Sequence, residues 1–366
     1  MLTAWLLLVS LSWTQGLLLP LTTAEVEGKV VVVDSAGART KLACVNWYGA
    51  HMEGHVVNGL DRQPVASIAN TIASLGFNCV RLPFSLEQFY DNPVIEADRL
   101  SANPDLVGLS SMSVFEAVVE GLTEAGLMVI LNNHNSKAGW CCSEQDGEGL
   151  WWTDSYPEEM WLQALASLAD TFSANSLVVG MDLRNELRAA HYHSPVWGGG
   201  GKYDWARAAE TAGNLVLDIS PHLLVIVEGL EYAGTVEGAR VRPVNISRPA
   251  QLVYSGHMYP FWWDSTLPYQ DFSQRVTHRQ TFVREPGHQY SAGYWMGELG
   301  TGDDSQEWGK ILRLVEEQDL DWAYWSIDGY TRPGEDESYG LLKDDYVTVR
   351  HPWLVQQLQR IQGIIS

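Results

Sequence analysis

Short apolar runs alternate along the chain with longer stretches in which apolar residues recur with a helical period. The run Leu223 to Val227 contains no polar side chain, as is typical of a strand buried on both faces of a parallel sheet. The stretch Val114 to Ala125 has a helical pattern and is followed by a glycine, which is a common helix stop. This alternation predicts an α/β fold built on a parallel sheet.

Eight strand-like runs separated by longer stretches predict a single (β/α)8 barrel (TIM barrel), and 366 residues suit one barrel of above-average length. A hairpin is predicted ahead of it, with Val30 to Val33 and Lys41 to Val45 flanking the turn-forming segment Asp34 to Gly37. Between the fifth and sixth strands, Gly229 to Pro249 shows little helical periodicity. The hairpin is predicted to lead into the first barrel strand, which ends near Trp47. The other predicted barrel strands are Asn78 to Leu82, Met128 to Asn132, Leu177 to Leu183, Leu223 to Val227, Leu252 to Ser255, Tyr290 to Met296 and Trp322 to Trp325.

Two glutamates, Glu186 and Glu298, follow strand-like runs that are more than a hundred residues apart. In a (β/α)8 barrel, the C-terminal ends of the strands form the active-site face. Two carboxylates at that face suit the chemistry of glycoside hydrolysis. Further polar or aromatic residues stand at or just beyond predicted strand ends: Arg81, His134, His257, Tyr259 and Trp325.

The composition narrows the class of partner. The chain has 45 acidic and 23 basic residues and a formal net charge of -22, which argues against a nucleic-acid-binding surface. The 16 tryptophans can serve barrel packing, and indole faces also stack well on the C–H face of a sugar ring. We therefore expect a carbohydrate as the partner, and a monomeric protein.

The N-terminus predicts a secretory signal peptide at residues 1–24, followed by a catalytic domain at 25–366. The segment has no charged side chain, and small residues near Ala24 suit cleavage; cleavage after Gly16 is a second option. An uncleaved anchor is the alternative, because the stretch approaches the length of a membrane span. The sequon Asn245-Ile246-Ser247 fits a secreted, glycosylated chain. We expect an extracellular location and no stable membrane insertion once the signal is removed.

The chain has four cysteines, Cys44, Cys79, Cys141 and Cys142. Cys44 and Cys79 lie in strand-like runs, which predicts two buried thiols, or a disulfide if the strands are neighbours. Cys141 and Cys142 are adjacent in a loop, and such pairs rarely bond to each other without strain. No CxxC spacing occurs and no histidine is placed with the cysteines, so we expect neither a metal nor another cofactor.

At these positions the chain resembles glycoside hydrolase family 5, the cellulase family of retaining (β/α)8-barrel enzymes. The loop from His134 to Ser143 resembles that of a plant-type, cellulase-like branch. The resemblance implies hydrolysis of O-glycosidic bonds in a β-linked glucan or a related polysaccharide. The matching motifs, in the family's order, are Arg81 in Cys-Val-Arg-Leu-Pro, His134 in Leu-Asn-Asn-His, Asn185-Glu186, His257-Met258-Tyr259, Glu298 in Gly-Glu-Leu-Gly and Trp325 in Ala-Tyr-Trp-Ser.

The resemblance also implies roles. Glu186 would be the general acid and base, and Glu298 the nucleophile, of a double-displacement mechanism. Arg81 and Tyr259 would hydrogen-bond Glu298, while Asn185 would hydrogen-bond the sugar 2-hydroxyl. The other expected substrate-binding residues are His134, His257, Trp47, Trp140 and Trp325, the last as a floor beneath the reacting sugar.

These residues have structural alternatives. An Asn-Glu pair after a strand can cap a helix, and Arg81 alone can be a salt bridge at the barrel rim. Glu228, at the end of the fifth strand, is a third carboxylate at the rim that could instead bind substrate hydroxyls. The loop pairs Trp151-Trp152 and Trp262-Trp263 suit sugar stacking and loop packing equally.

Three functions therefore compete. The first is a secreted retaining β-glycosidase acting on a polysaccharide. The second is a glycosidase acting on a glycolipid or small β-glycoside, which an apolar rim beside the cleft would favour. The third is a non-catalytic sugar-binding barrel, against which the intact pair Glu186 and Glu298 argues.

Overall fold

The computed structural model describes residues 17–364. Its centre is a closed barrel of eight parallel strands in chain order, with the last strand pairing with the first. A two-stranded antiparallel hairpin precedes the barrel, and a shorter one follows it. The predicted (β/α)8 barrel with an N-terminal hairpin is confirmed. The strands are β1 Thr22–Val26, β2 Lys29–Val33, β3 Ala43–Asn46, β4 Cys79–Ser85, β5 Met128–Asn135, β6 Val178–Asp182, β7 Leu224–Glu228, β8 Leu252–Met258, β9 Gly293–Leu299, β10 Asp321–Tyr324, β11 Tyr330–Arg332 and β12 Glu335–Asp336.

Helices lie between the barrel strands. Several helices have an N-cap residue whose side chain accepts a hydrogen bond from a backbone N–H of the first turn. Ser85 accepts from the N–H of Gln88, and Asp204 accepts from the N–H of Arg207. The glycine after the first helix, Gly76, has a φ of +104°, which confirms the predicted glycine stop. The helices are α1 Val65–Ser74, α2 Leu86–Asp91, α3 Ser111–Glu124, α4 Glu158–Thr171, α5 Trp205–Ile219, α6 Leu230–Ala233, α7 Tyr269–Arg279, α8 Gln306–Glu317 and α9 Pro352–Gln362.

The barrel interior is divided along its axis. Near the strand starts, apolar side chains such as Ile130, Leu224 and Trp295 form a closed cluster. Near the strand ends, buried polar side chains such as Arg81 and His257 replace them. The buried polar side chains available for chemistry therefore lie at the C-terminal end of the barrel, where active sites of this architecture are found.

The N-terminal hairpin is present and contains the predicted strand Val30 to Val33, but the predicted partner strand was wrong. β2 pairs with β1 in the register Thr22↔Val33, whereas Lys41 to Val45 contributes to β3 of the barrel. The connecting residues Glu27 and Gly28 have φ values of +50° and +75°, which suit a two-residue turn matched to the twist of antiparallel strands. β1 was not predicted, because its first three residues fall within the predicted leader, residues 1–24.

Two further elements differ from the prediction. The seventh barrel strand begins at Gly293 rather than Tyr290, because Ser291 instead closes a turn in which its hydroxyl donates to the Glu285 carbonyl. The segment with little periodicity holds the short α6, in which Glu231 and Tyr232 have left-handed backbone angles, and a 3-10 helix at Glu237–Arg240. Within residues 17–364, the helices lack the combination of length and apolar character that crossing a bilayer requires.

Candidate active site

The C-terminal ends of the barrel strands surround a cavity of about 430 Å³. Arg81 and His257 are fully buried beneath it and bond to its carboxylates. The barrel brings together residues from the ends of six strands, β4, β5, β6, β8, β9 and β10, as predicted. The predicted site residues that line the cavity are His134, Trp140, Asn185, Glu186, Tyr259, Glu298 and Trp325.

Glu186 is held in an unusual backbone position after β6. Its φ is +44°, a costly left-handed value for a residue with a side chain. The Glu186 N–H donates to Oε2 of Glu228 at 2.8 Å, and its own Oε1 lies 2.8 Å from Nδ1 of His257. The chain then continues as a loop until α5 begins at Trp205, so the helix-cap alternative is wrong.

Glu298, near the end of β9, accepts two short hydrogen bonds. Nη1 of Arg81 donates to Oε1 at 2.7 Å, and the Tyr259 hydroxyl donates to Oε2 at 2.6 Å. Both donors are buried, which makes the bonds stronger than they would be in water. The carboxylate is therefore oriented before any substrate binds.

Arg81 organises the buried polar layer. Its guanidinium has no solvent exposure, and burial acts to lower its pKa. The surrounding carboxylates outweigh burial and raise that pKa, so the group is a permanent cation. Its acceptors, at 2.7–3.0 Å, are Asp182, Asn46, Glu298, Asn185 and Glu228.

The buried groups next to Arg81 differ in the direction of their pKa shifts. Burial and the neighbouring Glu228 raise the pKa of Asp182 well above its usual range. Burial works against ionisation of Glu228 too, but His257 and Arg81 outweigh it and hold that pKa at about 2. Burial also opposes protonation of His257, yet Glu228 and Glu298 raise its pKa well above normal. Glu228 is thus a buried anion between two cations, and the expectation that it sits at the rim was wrong.

Glu186 differs from the buried anion Glu228. Burial raises its pKa above the ordinary glutamate value, and the nearby Glu298 adds to the rise, against the opposing effect of His257. A carboxyl oxygen of Glu186 and one of Glu298 lie within 4.8 Å of each other. Glu186 therefore tends to keep its proton, while two hydrogen-bond donors stabilise the Glu298 carboxylate. Displacement assisted by an acid needs one protonated and one ionised carboxyl group.

Aromatic rings form one side of the cavity. Trp325 follows β10 and stacks on Tyr48 with ring centroids 4.9 Å apart, nearly parallel. His134 stacks on Trp325 at 5.6 Å, and Trp140, 44% exposed, meets it edge-on. Burial lowers the pKa of His134 well below normal, so this ring is neutral. Its Nδ1 lies 2.8 Å from Oδ1 of Asn132, which assigns the proton to Nδ1 and leaves Nε2 as an acceptor.

Three predicted binding residues do not line the cavity: Arg81 and His257 are buried beneath it, and Trp47 lies elsewhere. It is fully buried in the core outside the cavity, and its indole N–H donates to the Asn58 carbonyl at 2.9 Å. The residue follows the first barrel strand, but the chain turns its ring outward toward the helices.

Several cavity residues were missed because they are not at strand ends. They come from loops whose lengths the strand pattern does not constrain. Trp262 lines the cavity, which favours sugar stacking over loop packing, whereas Trp263 packs against Phe272. The others are Cys141, Cys142, Tyr232, Phe261, Glu337, Ser338 and Tyr339.

The cysteines are paired within the described chain. Cys44 and Cys79 face each other in register on β3 and β4 and form a disulfide, which confirms one of the two expectations for them. Cys141 and Cys142 form a second disulfide, contrary to the expectation for adjacent cysteines. Glu186, His257 and Glu298 are close enough together to suggest metal ligands. The neighbouring cation Arg81 and the raised pKa of His257 make that cluster a poor host for a metal cation.

Comparison with known proteins agrees with this geometry. The family description "Cellulase (glycosyl hydrolase family 5)" matches residues 33–331. The chain belongs to glycosyl hydrolase family 5. A Chamaecyparis obtusa protein named as a glycosyl hydrolase 5 family protein is 34% identical over 402 aligned residues, which cover 100% of this chain and 70% of the relative. An endoglucanase of Paenibacillus polymyxa is 28% identical, with 88% of this chain and 83% of the relative covered.

Two solved structures resemble this chain in fold and in sequence. The endocellulase of Pyrococcus horikoshii in complex with cellotetraose has a TM-score of 0.79 and 26% identity, covering 93% of this chain and 98% of that chain. The catalytic domain of the major endoglucanase of Xanthomonas campestris also has a TM-score of 0.79 and 26% identity, covering 93% and 99%. As a family 5 member, the protein is a retaining glycoside hydrolase.

Proposed function

We propose that this family 5 protein is a secreted β-glucanase that hydrolyses a β-linked glucan by double displacement, with Glu298 as nucleophile and Glu186 as acid and base. The proximity of the two carboxyl groups carries the proposal, since an oxygen of each lies within 4.8 Å of the other. Retaining enzymes place these groups about 5–5.5 Å apart, whereas inverting enzymes leave about 6.5–9.5 Å for a water molecule.

In the first step an oxygen of Glu298 attacks the anomeric carbon and forms a glycosyl ester. The bond from that carbon to the leaving oxygen breaks, its electron pair goes to the oxygen, and Glu186 transfers its proton there. In the second step Glu186, now a carboxylate, removes a proton from water. The water oxygen attacks the anomeric carbon and releases Glu298, so the product keeps the β configuration.

The remaining residues hold the sugar and the carboxylates. Asn185 is buried beside Glu186 with its Oδ1 bonded to Arg81, which directs its amide group to the cavity side. An amide donor at this place suits the sugar 2-hydroxyl, whose hydrogen bond strengthens in the transition state. The neutral His134 would accept from another hydroxyl, and Trp325 would stack beneath the ring.

The choice of a glucan rests on the relatives. Three of the four named above are called endoglucanase or endocellulase, and the cavity has the aromatic floor that a flat, equatorially substituted sugar ring suits. The test is hydrolysis of soluble cellulose, mixed-linkage β-glucan, β-mannan and aryl β-glycosides, with the Glu298→Ala protein as blank. Release of reducing ends from a β-glucan supports the proposal, and inactivity on all of them would refute it.

A second candidate substrate is a glycoside with an apolar aglycone. The cavity rim carries Phe261, Trp262 and Trp140, which are 67%, 37% and 44% exposed. Such a rim suits a lipid or aryl group as well as a sugar ring. Preference for alkyl β-glycosides over β-glucans, measured as kcat/KM, would favour this candidate. The third candidate, a non-catalytic sugar-binding barrel, has no use for two oriented carboxyl groups.

Secretion is part of the proposal. Most of the predicted leader is residues 1–16, which are outside the described residues. The predicted cleavage position at Ala24 lies within β1, so cleavage there would cut the strand. Cleavage after Gly16 would leave the N-terminal hairpin intact, so we propose that position. Asn245 is exposed and suits glycosylation. N-terminal sequencing and glycosidase treatment of the secreted protein test both points, and its elution volume tests the proposed monomer.

A further inference from the structure

The Cys141–Cys142 disulfide lies in the wall of the catalytic cavity, where no step of the mechanism requires it. Both residues are half-buried and line the cavity beside Trp140. The sulfur atoms lie within 4.8 Å of a carboxyl oxygen of Glu186. The other disulfide, Cys44–Cys79, is fully buried among the apolar residues at the strand starts.

The position relative to Glu186 indicates which part of a substrate the sulfurs would meet. The general acid must approach the leaving oxygen, because it transfers its proton there. A cavity-lining group that adjoins the acid therefore borders the unit attached to that oxygen. Within residues 17–364, the cluster formed by the two sulfurs and Glu186 does not include the nucleophile Glu298.

The chemistry of the group fits such a contact. A disulfide carries no N–H or O–H and does not demand hydrogen-bond partners, while its sulfur atoms are large and polarisable. Together with the half-exposed ring of Trp140, it offers a mainly apolar surface. That surface suits the C–H face of a sugar ring or an aryl group better than its hydroxyl edge.

We propose that the Cys141–Cys142 disulfide is a contact surface for the leaving group, the glycosyl or aryl unit displaced in the first step. The inference rests on the proposed function, and adds a residue pair that selects leaving groups with an apolar face. It predicts that the disulfide contributes to formation of the glycosyl-enzyme and not to its hydrolysis, because the leaving group has departed by then.

A purely structural role makes a different prediction. Nδ2 of Asn185 lies 3.4 Å from the Cys141 sulfur and 3.7 Å from that of Cys142. If the disulfide only held Asn185, its loss would slow both steps, because the 2-hydroxyl contact is used in both transition states. Measuring the two steps separately therefore distinguishes substrate contact from support of Asn185.

The test compares wild type with Cys141→Ala/Cys142→Ala and, as matched control, Cys44→Ala/Cys79→Ala. We expect the cavity variant to lose about tenfold in kcat/KM on cello-oligosaccharides, the scale of one apolar contact. On an activated aryl β-glycoside that keeps the 2-hydroxyl, hydrolysis of the glycosyl-enzyme limits kcat, and this kcat should equal the wild-type value. The control should keep the wild-type kcat/KM at a temperature where it is folded.

Treatment of wild type with a water-soluble phosphine repeats the test without substitution. The phosphine takes up oxygen from water as its oxide, and the disulfide becomes two thiols; thiol labelling identifies which pair was reduced. Labelling of Cys141 and Cys142 with the same kinetic split supports the proposal. Unchanged kcat/KM, or equal losses in both steps, overturns it. Inactivity of wild type itself refutes the proposed function, and the inference with it.

Discussion

The hydroxyl of Tyr259 donates a 2.6 Å hydrogen bond to Oε2 of Glu298. Both groups are buried, and burial, followed by the charge of Glu298, raises the pKa of Tyr259 well above its usual value. The phenol therefore remains a donor throughout the working pH range. In the proposed mechanism this bond fixes the attacking carboxylate against the anomeric carbon.

The substitution Tyr259→Phe should accordingly slow the reaction. A hydrogen bond to a charged group is worth about 1.5–3 kcal/mol, which corresponds to a loss of roughly 10- to 150-fold in kcat/KM. The control is Tyr330→Phe, which removes a 2.6 Å bond to Asp61 outside the cavity. Steady-state kinetics should show a loss for the first variant only. Wild-type kcat/KM for Tyr259→Phe would mean that the bond does not serve catalysis.

Arg81 should be essential for folding as well as for activity. Its guanidinium is within 2.9 Å of carboxylate oxygens of Asp182, Glu228 and Glu298, all buried. Arg81→Ala leaves these acids without their cation, and breaking a buried pair costs about 3–5 kcal/mol of unfolding free energy. Thermal unfolding should show a large fall in Tm, whereas Arg313→Ala, which changes a surface i,i+4 pair, should leave Tm nearly unchanged. Equal Tm values for both variants would contradict this account of the buried layer.

Much of this architecture could be predicted from the chain. The barrel strands are buried on both faces, so they stand out as apolar runs, and polar residues at their ends are conspicuous. Glu186, Glu298 and His134 converge as expected because parallel strand ends share one edge of the barrel.

What could not be predicted depends on loops and on side-chain direction. Trp47 and Trp325 both stand just beyond strand ends, but only packing decides that one ring enters the core and the other the cavity. Cys141 and Glu337 line the cavity from loops, and the hydrophobic periodicity of the sequence does not predict the path of a loop. The buried position of Glu228 depends on three-dimensional charge balance, which a sequence pattern does not contain.

Truncating these two tryptophans should give opposite results. Trp325→Ala should raise KM for β-glucan by about tenfold or more, because it removes the ring proposed to stack beneath the sugar. Trp47→Ala should cost about 3–5 kcal/mol of stability by leaving a cavity in the core, with KM unchanged in the folded protein. Kinetics and thermal unfolding on both variants check this. A raised KM for Trp47→Ala alone would restore it as a binding residue.

The proton donor should be revealed by leaving-group dependence. Glu186→Gln should lose about 10²–10⁴-fold on sugar leaving groups, which need protonation, and much less in the first step on activated aryl glycosides. Because burial raises the pKa of Glu186, the acid stays protonated above the ordinary glutamate range, and activity falls as pH rises through that raised pKa. The variant should lack this alkaline limb. Equal losses on both substrate classes would show that Glu186 is not the donor.

The central claim is that Glu298 forms a covalent bond to the sugar. A 2-deoxy-2-fluoro β-glycoside with a good leaving group slows the second step, so the glycosyl-enzyme accumulates and can be located by peptide mass spectrometry. The account predicts one equivalent of label on Glu298, and no label in Glu298→Ala. Label on Glu186, or no covalent adduct while the enzyme hydrolyses the parent glycoside, would contradict it.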